Sequence, residues 1–275
     1  MRRRALGWVP VAAAAVTLGF LLLPIVAIFV RTGPGALIDQ LSNPVVQDAF
    51  VVTLKTSGVA QLLILLFGTP TAYVLATRRF RGRPLAVVLV ELPLVLPPAV
   101  AGLGLFAAFG RMGLLGSTLD AFGVSIPFTQ TAVTFAVAYV ASPLYIRQAI
   151  AAFEAVDPNV VAASRTLGAG PARTFFRVVL PLARVGLIAG LALSFARGLG
   201  EFGATIMFAG SLQGITQTLP LAIYAEFDVD FDAALAMGGV LVGISILLLA
   251  GLHLALSWRS SSTASRSLFG LSPSG

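Results

Sequence analysis

Arg197 and Glu201 stand four positions apart in "RGLGEFGATIMFAG", residues 197–210, inside an otherwise apolar run. On a helix that spacing puts them one turn apart on one face, where each can neutralise the other. A charge within hydrocarbon costs at least about 3 kcal/mol unless it is paired or turned toward water, so such residues face a bundle interior or a cavity. The pair therefore has two readings: a structural ion pair locking a span to its neighbours, or the border of a water-accessible path. A further carboxylate, Glu91, sits in the apolar run "VELPLVLPPAV". Little else is equipped for covalent chemistry. The chain has no cysteine, hence no disulfide, thiolate metal site or thiol redox step. His253 is its single histidine and makes no metal cluster. With neither a catalytic dyad nor a Walker motif, an intramembrane enzyme is disfavoured, ATP is not bound by that route, and no cofactor is expected.

Loosened backbone accompanies these charges. Gly198, Gly200, Gly203 and Gly210 surround the Arg–Glu pair, and Pro93, Pro97, Pro98, Gly102 and Gly104 interrupt the run containing Glu91. Membrane helices tolerate such residues where neighbours or water satisfy the freed backbone groups, and glycines also permit close helix packing. Two broken helices in one small bundle favour a moving gate. The candidate pathway and gate residues are Pro97, Pro98, Arg197, Glu201, Gly203 and Thr205.

The elements that must position these residues follow from composition. Of 275 residues, 57% are hydrophobic and 11% charged, with mean hydropathy +0.96. Soluble domains carry about 25% charged residues, so this is an all-α integral membrane protein. Apolar stretches predict six spans near 8–30, 51–76, 85–108, 128–149, 181–207 and 234–257. The first follows Met1-Arg2-Arg3-Arg4, is too long for a signal-peptide core and lacks a clear cleavage site, so it is read as an uncleaved span. The net charge of +7 comes from arginines between apolar runs, a membrane-topology pattern rather than a nucleic-acid face. With the N-terminus inside, fourteen of the eighteen basic residues fall on or beside the inner side, which places both termini in the cytoplasm. Asp39, Asp48, Asp120 and the group Glu226, Asp228, Asp230 and Asp232 then lie outside. The domain plan is a first span with its outer loop (1–50), a transmembrane core (51–258) and a loose cytoplasmic tail (259–275).

One inner loop is more than a linker. In "AVDPNVVAASRTLGAGPARTFFRVVLP", residues 155–181, Asp157-Pro158 starts a helix and Gly168 stops it. Gly170-Pro171 begins a second helical stretch that runs into Pro181. Leu167, Phe175 and Phe176 among Arg165, Arg173 and Arg177 suit a docking surface for another protein. The alternative is an amphipathic segment lying on anionic lipid.

The spacing Gly168, nine residues, Val178, one residue, Leu180-Pro181 resembles the EAA loop of ABC-transporter permeases (EAA-x3-G-x9-I-x-L-P). Ala162, Ala163 and Ser164 occupy the triplet, so its glutamate is absent, while Gly168 and the terminal Leu180-Pro181 remain; with Leu167 these make up the candidate coupling loop. The resemblance runs from about Leu54 to Trp258. "LPLVLPPAVAGLGLFAAFGRMGLLG" is similar to the third span of the oxyanion-importing branch, and "ARGLGEFGATIMFAG" with "TQTLPLAIY" to its molybdate permeases. It implies a six-helix importer permease of the bacterial inner membrane, with a coupling loop that docks into a cytoplasmic ABC ATPase subunit. Hydrolysis would lie on that partner, so the chain itself would not be an enzyme. It further implies a homodimer whose third and fifth spans line the path at a two-fold axis, and an extracytoplasmic molybdate-binding protein that performs the selection. Sulfate and tungstate are the rival cargoes; a passive channel would have no use for the docking loop.

Overall fold

The computed structural model describes the backbone of residues 2–264 and side chains over 8–251. The tail beyond residue 264 and the side chain of His253 lie outside the described residues. Among the described residues every regular element is helical. The first five are α1 (Arg2–Leu41), α2 (Pro44–Leu63), α3 (Thr69–Thr77), α4 (Arg83–Val95) and α5 (Pro98–Phe109). After the short α6 (Gly116–Ala121) come α7 (Gln130–Glu154), α8 (Pro158–Thr166) and α9 (Pro171–Thr174). The chain closes with α10 (Leu180–Leu199), α11 (Gly203–Ala209), α12 (Leu219–Phe227) and α13 (Phe231–Ala264).

Five stretches are long and apolar enough to cross a membrane: Trp8–Leu41, Pro44–Thr77, Gln130–Glu154, Pro171–Leu199 and Phe231–Gly251. A sixth crossing requires α4 and α5 together, and these meet at 114°. The protein is thus a multi-pass helical membrane bundle; the run 85–108 is broken, as its prolines and glycines predicted, but it turns too sharply for the simple crossing expected of it. Leu96 and Pro97 take extended conformations between the two halves, because the residue before a proline is driven out of the helical region.

The fifth span also departs from expectation. It runs over Pro171–Leu199 rather than 181–207. At its start, helix passes through Pro181 without a break because Phe175–Val179 form a wide π turn in which Leu180 N–H bonds to Phe175 O. That widening relieves the clash a proline ring makes with the carbonyl four residues back. A second π turn, Ile64–Gly68, precedes Pro70 in the same way and joins α2 to α3. At its other end the helix stops at Gly200. Arg197 therefore occupies the last turn of α10, not the middle of a continuous span. The first span is broken at Gly33, whose φ of +67° precedes Pro34. The final span is helical through Ala264, so residues 259–264, expected in the loose tail, continue the helix.

α7 is the centre of the bundle. Buried residues from Ala132 to Phe153 contribute to two hydrophobic clusters, one with α5 and α11 and one with α3 and α10. Its contact with α10 is close because small residues recur every fourth position along the facing side of α10. A Cβ at Gly186 would lie 2.5 Å from Ala152 Cβ, and one at Gly198 2.9 Å from Val137 Cγ1. Small residues at such spacing let membrane helices gain dispersion contact that apolar solvent does not supply. Ser194 on the same face donates to Gln61 Oε1 of α2 at 2.8 Å, deep in the bundle.

Candidate functional site

The Arg197–Glu201 pair bridges a break. Arg197 Nη1 lies 2.9 Å from Glu201 Oε2, and the Glu201 side chain is 1% exposed against 34% for Arg197. The other carboxylate oxygen, Oε1, accepts from Ala204 N at 2.8 Å. Glu201 thus holds the last turn of α10 through the guanidinium and the first turn of α11 through a backbone N–H. An acceptor there meets one of the donors a helix start leaves unpaired, and a negative charge suits that end of the helix dipole. Of the two readings of the pair, the geometry accounts fully for Glu201 as a clasp. Arg197 alone keeps an open side.

The other candidates fall around the same place. Gly203 opens α11, and a Cβ there would lie 2.6 Å from Pro98 Cβ. At Gly102 of α5 a Cβ would lie 2.7 Å from Ala204 O and 2.7 Å from Met207 Cβ. The halves beyond the two breaks, α5 and α11, are therefore packed on each other with no room for another carbon. Phe208, fully buried, closes the contact against Phe106 and Phe109. Pro97 and Pro98 are exposed and no side chain caps their turn. Thr205 is buried, and its hydroxyl has no hydrogen-bond partner. The structure thus brings Pro98, Glu201, Gly203 and Thr205 into one neighbourhood and leaves Pro97 on its surface.

The loop after α7 folds largely as expected. Asp157 Oδ1 accepts from Asn159 N at 2.8 Å and Pro158 takes the first helical position of α8. Gly168 ends α8 with φ +84°. Gly168 N donates to Arg165 O at 3.0 Å and Ala169 N to Ser164 O at 3.1 Å, the paired closure of a helix stopped by a left-handed residue. Ala162, Ala163, Leu167, Phe176, Arg165, Arg173 and Arg177 are exposed, Leu167 at 88%. Phe175 departs from the expected surface. It turns inward with ring centroids 4.8 Å from Tyr73 and 6.2 Å from Phe153. The Ser164 and Thr174 hydroxyls lie 3.2 Å apart and tie α8 to α9. Pro181 sits inside the continuous helix, just past the π turn.

Sequence reasoning passed over Gln61, buried on α2 with its amide nitrogen unpartnered, and counted Arg83 only among the fourteen inner-side basic residues. Gln61 carried a usable signal: an amide in mid-span is costly unless something meets it. Among the described residues no group of three or more His, Cys, Asp or Glu side chains is placed to hold a metal ion.

A bundle of crossing helices with two interrupted ones and an exposed helical loop has the architecture of a transporter's membrane subunit. The chain belongs to the family of binding-protein-dependent transport system inner membrane components, whose model matches residues 64–260. It is 43% identical over 248 residues to the molybdenum transport system permease protein ModB of Mycobacterium tuberculosis, covering 89% of this chain and 92% of that one. It is also 38% identical over 212 residues to the sulfate transport system permease protein CysT of Escherichia coli, covering 77% of this chain and 76% of that one. Among solved structures, a chain of a bacterial alginate ABC transporter matches with TM-score 0.70 at 15% identity, covering 91% of this chain and 93% of that one. A chain of the MetNI methionine ABC transporter matches with TM-score 0.61 at 18% identity, over 76% and 93%. These two structures share the fold. The chain is accordingly a permease, the inner membrane component of a binding-protein-dependent transport system.

Proposed function

We propose that this chain forms the transmembrane channel of an ATP-driven molybdate importer. The observation that carries the coupling part is the mechanical continuity of one element. The exposed apolar residue Phe176 belongs to the same helix, Pro171–Leu199, that ends beside the Glu201 clasp. A cytoplasmic ATPase subunit gripping α8, Leu167 and Phe176 would thereby push on a rod whose far end is tied to α11. The EAA-like positions Ala162, Ala163, Ser164, Leu167, Gly168 and Pro181 form the grip and its frame. Pro97, Pro98, Arg197, Glu201, Gly203 and Thr205 form the gate, with Arg197 as the residue open to a passing dianion. Weak attraction suits a pathway, since tight binding slows release; selection belongs to an extracytoplasmic molybdate-binding protein. The chain pairs with a second copy, and both termini are cytoplasmic.

The cargo assignment rests on the molybdenum permease relatives; the sulfate permease relative supports sulfate as the second reading. The test is uptake into vesicles containing this chain, its ATPase subunit and the capture protein, with molybdate, tungstate and sulfate in competition. ATP-dependent molybdate uptake resisting excess sulfate is expected, and uptake of sulfate alone would overturn the cargo. A cysteine at Asp120 should label from outside and one at Arg81 should not; the reverse result would overturn the orientation.

A further inference from the structure

α4 links the region of the loop to the break at Leu96-Pro97, yet none of its residues is buried. From α4 only Val90 packs, partly buried, against the cluster that includes Tyr145, Ala149 and Phe153 of α7. Two ion pairs add to that contact. Arg83 Nη2 lies 2.6 Å from Glu154 Oε1, and Arg147 Nε lies 3.6 Å from Glu91 Oε1. Arg83 and Glu91 are eight residues apart on α4, while Glu154 and Arg147 are seven apart on α7, so both rungs are about 10–12 Å apart on antiparallel helices. The signs alternate. α4 presents cation then anion, and α7 presents anion then cation. A slip of two turns would set Arg83 against Arg147, so the pattern fixes register as well as contact. Arg83 Nε also donates to Leu75 O at 2.7 Å, anchoring the same side chain to the end of α3.

The exposure of the second rung bears on where the seam faces. The Arg147 side chain is 71% exposed and that of Glu91 38%. Both residues belong to candidate spans, and charges within spans are turned away from hydrocarbon, so this seam is expected to look onto water or another protein chain. Open ion pairs contribute little to stability; their use here is alignment. Glu154 is the last residue of α7, and the loop begins at Ala155.

We propose that Arg83–Glu154 and Glu91–Arg147 form a two-rung clasp that makes α4 move with the loop-proximal half of α7, delivering displacement of the loop to the break at Leu96-Pro97. These four are positioning residues. The inference rests on the transporter reading above, and two measurements separate its fate from that reading's. The first is oxyanion uptake per ATP hydrolysed by the full complex in vesicles. Glu154→Gln and Arg147→Gln should each lower that ratio about fivefold, the low end of typical coupling between sites, while complex abundance and ATPase activity persist. Glu91→Arg combined with Arg147→Glu should restore the ratio, and Arg147→Glu alone should be the worst variant. A merely structural role would lower abundance and both activities together, leaving the ratio unchanged. An unchanged ratio, or a charge swap that rescues nothing, would overturn the clasp. Failure of the wild-type complex to transport would overturn the transporter reading instead.

The second measurement needs no transport. The absence of native cysteine allows spin labels at Leu89→Cys and Ala151→Cys, both exposed positions on α4 and α7. The distance distribution should be narrow, should stay narrow when the ATPase and nucleotide are added, and should broaden on adding Glu154→Gln with Arg147→Gln. An equally narrow distribution without the clasp would overturn the proposal.

Discussion

The break within the third span and the break after the fifth are built differently. Between α10 and α11 the break is closed by a buried carboxylate that grips both sides, 2.9 Å from Arg197 and 2.8 Å from Ala204 N. Between α4 and α5 the break is made by Pro97 and Pro98, which are exposed and carry no side-chain cap. A proline forces extended backbone before itself but supplies no hydrogen bond across the break. The helices beyond both breaks, α5 and α11, touch so closely at Gly102 and Gly203 that they are expected to move as one body. That body is therefore joined to α10 by a charged clasp and to α4 by a bare turn. On the mechanism proposed above, bending would fall at the bare turn, driven from α10 through the clasp on one side and from α4 through its pairs with α7 on the other.

The sharpest way to break this contrast is to remove the clasp. Arg197→Leu leaves the Glu201 carboxylate buried with only the Ala204 N–H, a loss of about 3–5 kcal/mol for an uncompensated buried charge. The amount of folded, detergent-extracted protein should fall severely. Combining Arg197→Leu with Glu201→Leu should recover only part of it, because the Ala204 N–H then has no acceptor, at about 1–3 kcal/mol. Arg197→Leu with Glu201→Gln should recover more, since the amide oxygen can still accept from Ala204. If the double-leucine form is as abundant as wild type, Glu201 is not a clasp. If the Gln form is abundant but fails to take up molybdate, the open side of Arg197 serves the path.

A second variant tests whether α5 and α11 are one body. Gly102→Leu must displace Ala204 and Met207, and overpacking of this kind costs about 1–3 kcal/mol. A Cβ at Gly104, two residues on, would meet nothing within 4 Å, so Gly104→Ala should leave thermal stability and uptake intact. Equal tolerance at both sites would separate the two halves.

How much of this was readable beforehand depends on the kind of interaction. Helix starts and stops at the loop were legible because they are local: Asp157-Pro158 and Gly168 carry their own stereochemistry, and the structure follows them. The spacing of Arg197 and Glu201 likewise announced an ion pair. What stayed hidden was set by distant partners or by absent donors. The π turn that carries the fifth span through Pro181 and the stop at Gly200 moved the helix ten residues toward the loop at its start and eight at its end. Phe175 looked like surface because its ring partners, Tyr73 and Phe153, belong to other helices, and periodicity along one segment cannot place them beside it. The α4–α7 charge pairs were invisible for the same reason.

The loop offers the milder tests, because water surrounds it. Gly168→Val puts a β-branched residue at φ +84°, a left-handed conformation costing about 1–2 kcal/mol for residues with a Cβ. Space is not the issue, since a Cβ there meets nothing within 4 Å. Folded protein should be normal, while uptake and substrate-stimulated ATPase fall together as the turn after Leu167 is re-aimed. Gly170→Ala, at φ −67°, is the control and should behave as wild type.

The smallest effect belongs to Asp157. None of the residues of α8 is fully buried; Val161 packs partly buried on the core, Ser164 reaches Thr174, and its two ends carry much of its definition. At its start the Asp157 carboxylate satisfies Asn159 N, and losing such a cap costs about 1 kcal/mol. Asp157→Ala frays the first turn, but water replaces the lost acceptor there, which it cannot do at Glu201. Leu167 and Gly168, at the opposite end of α8, keep their geometry. Uptake should therefore fall less than in Gly168→Val, with no change in abundance, and Asp157→Asn should restore it by offering the same acceptor. The measurement is initial uptake rate per assembled complex across the three variants. A larger loss in Asp157→Ala than in Gly168→Val would put the point of transmission at the start of α8 and detach the Gly168 turn from coupling.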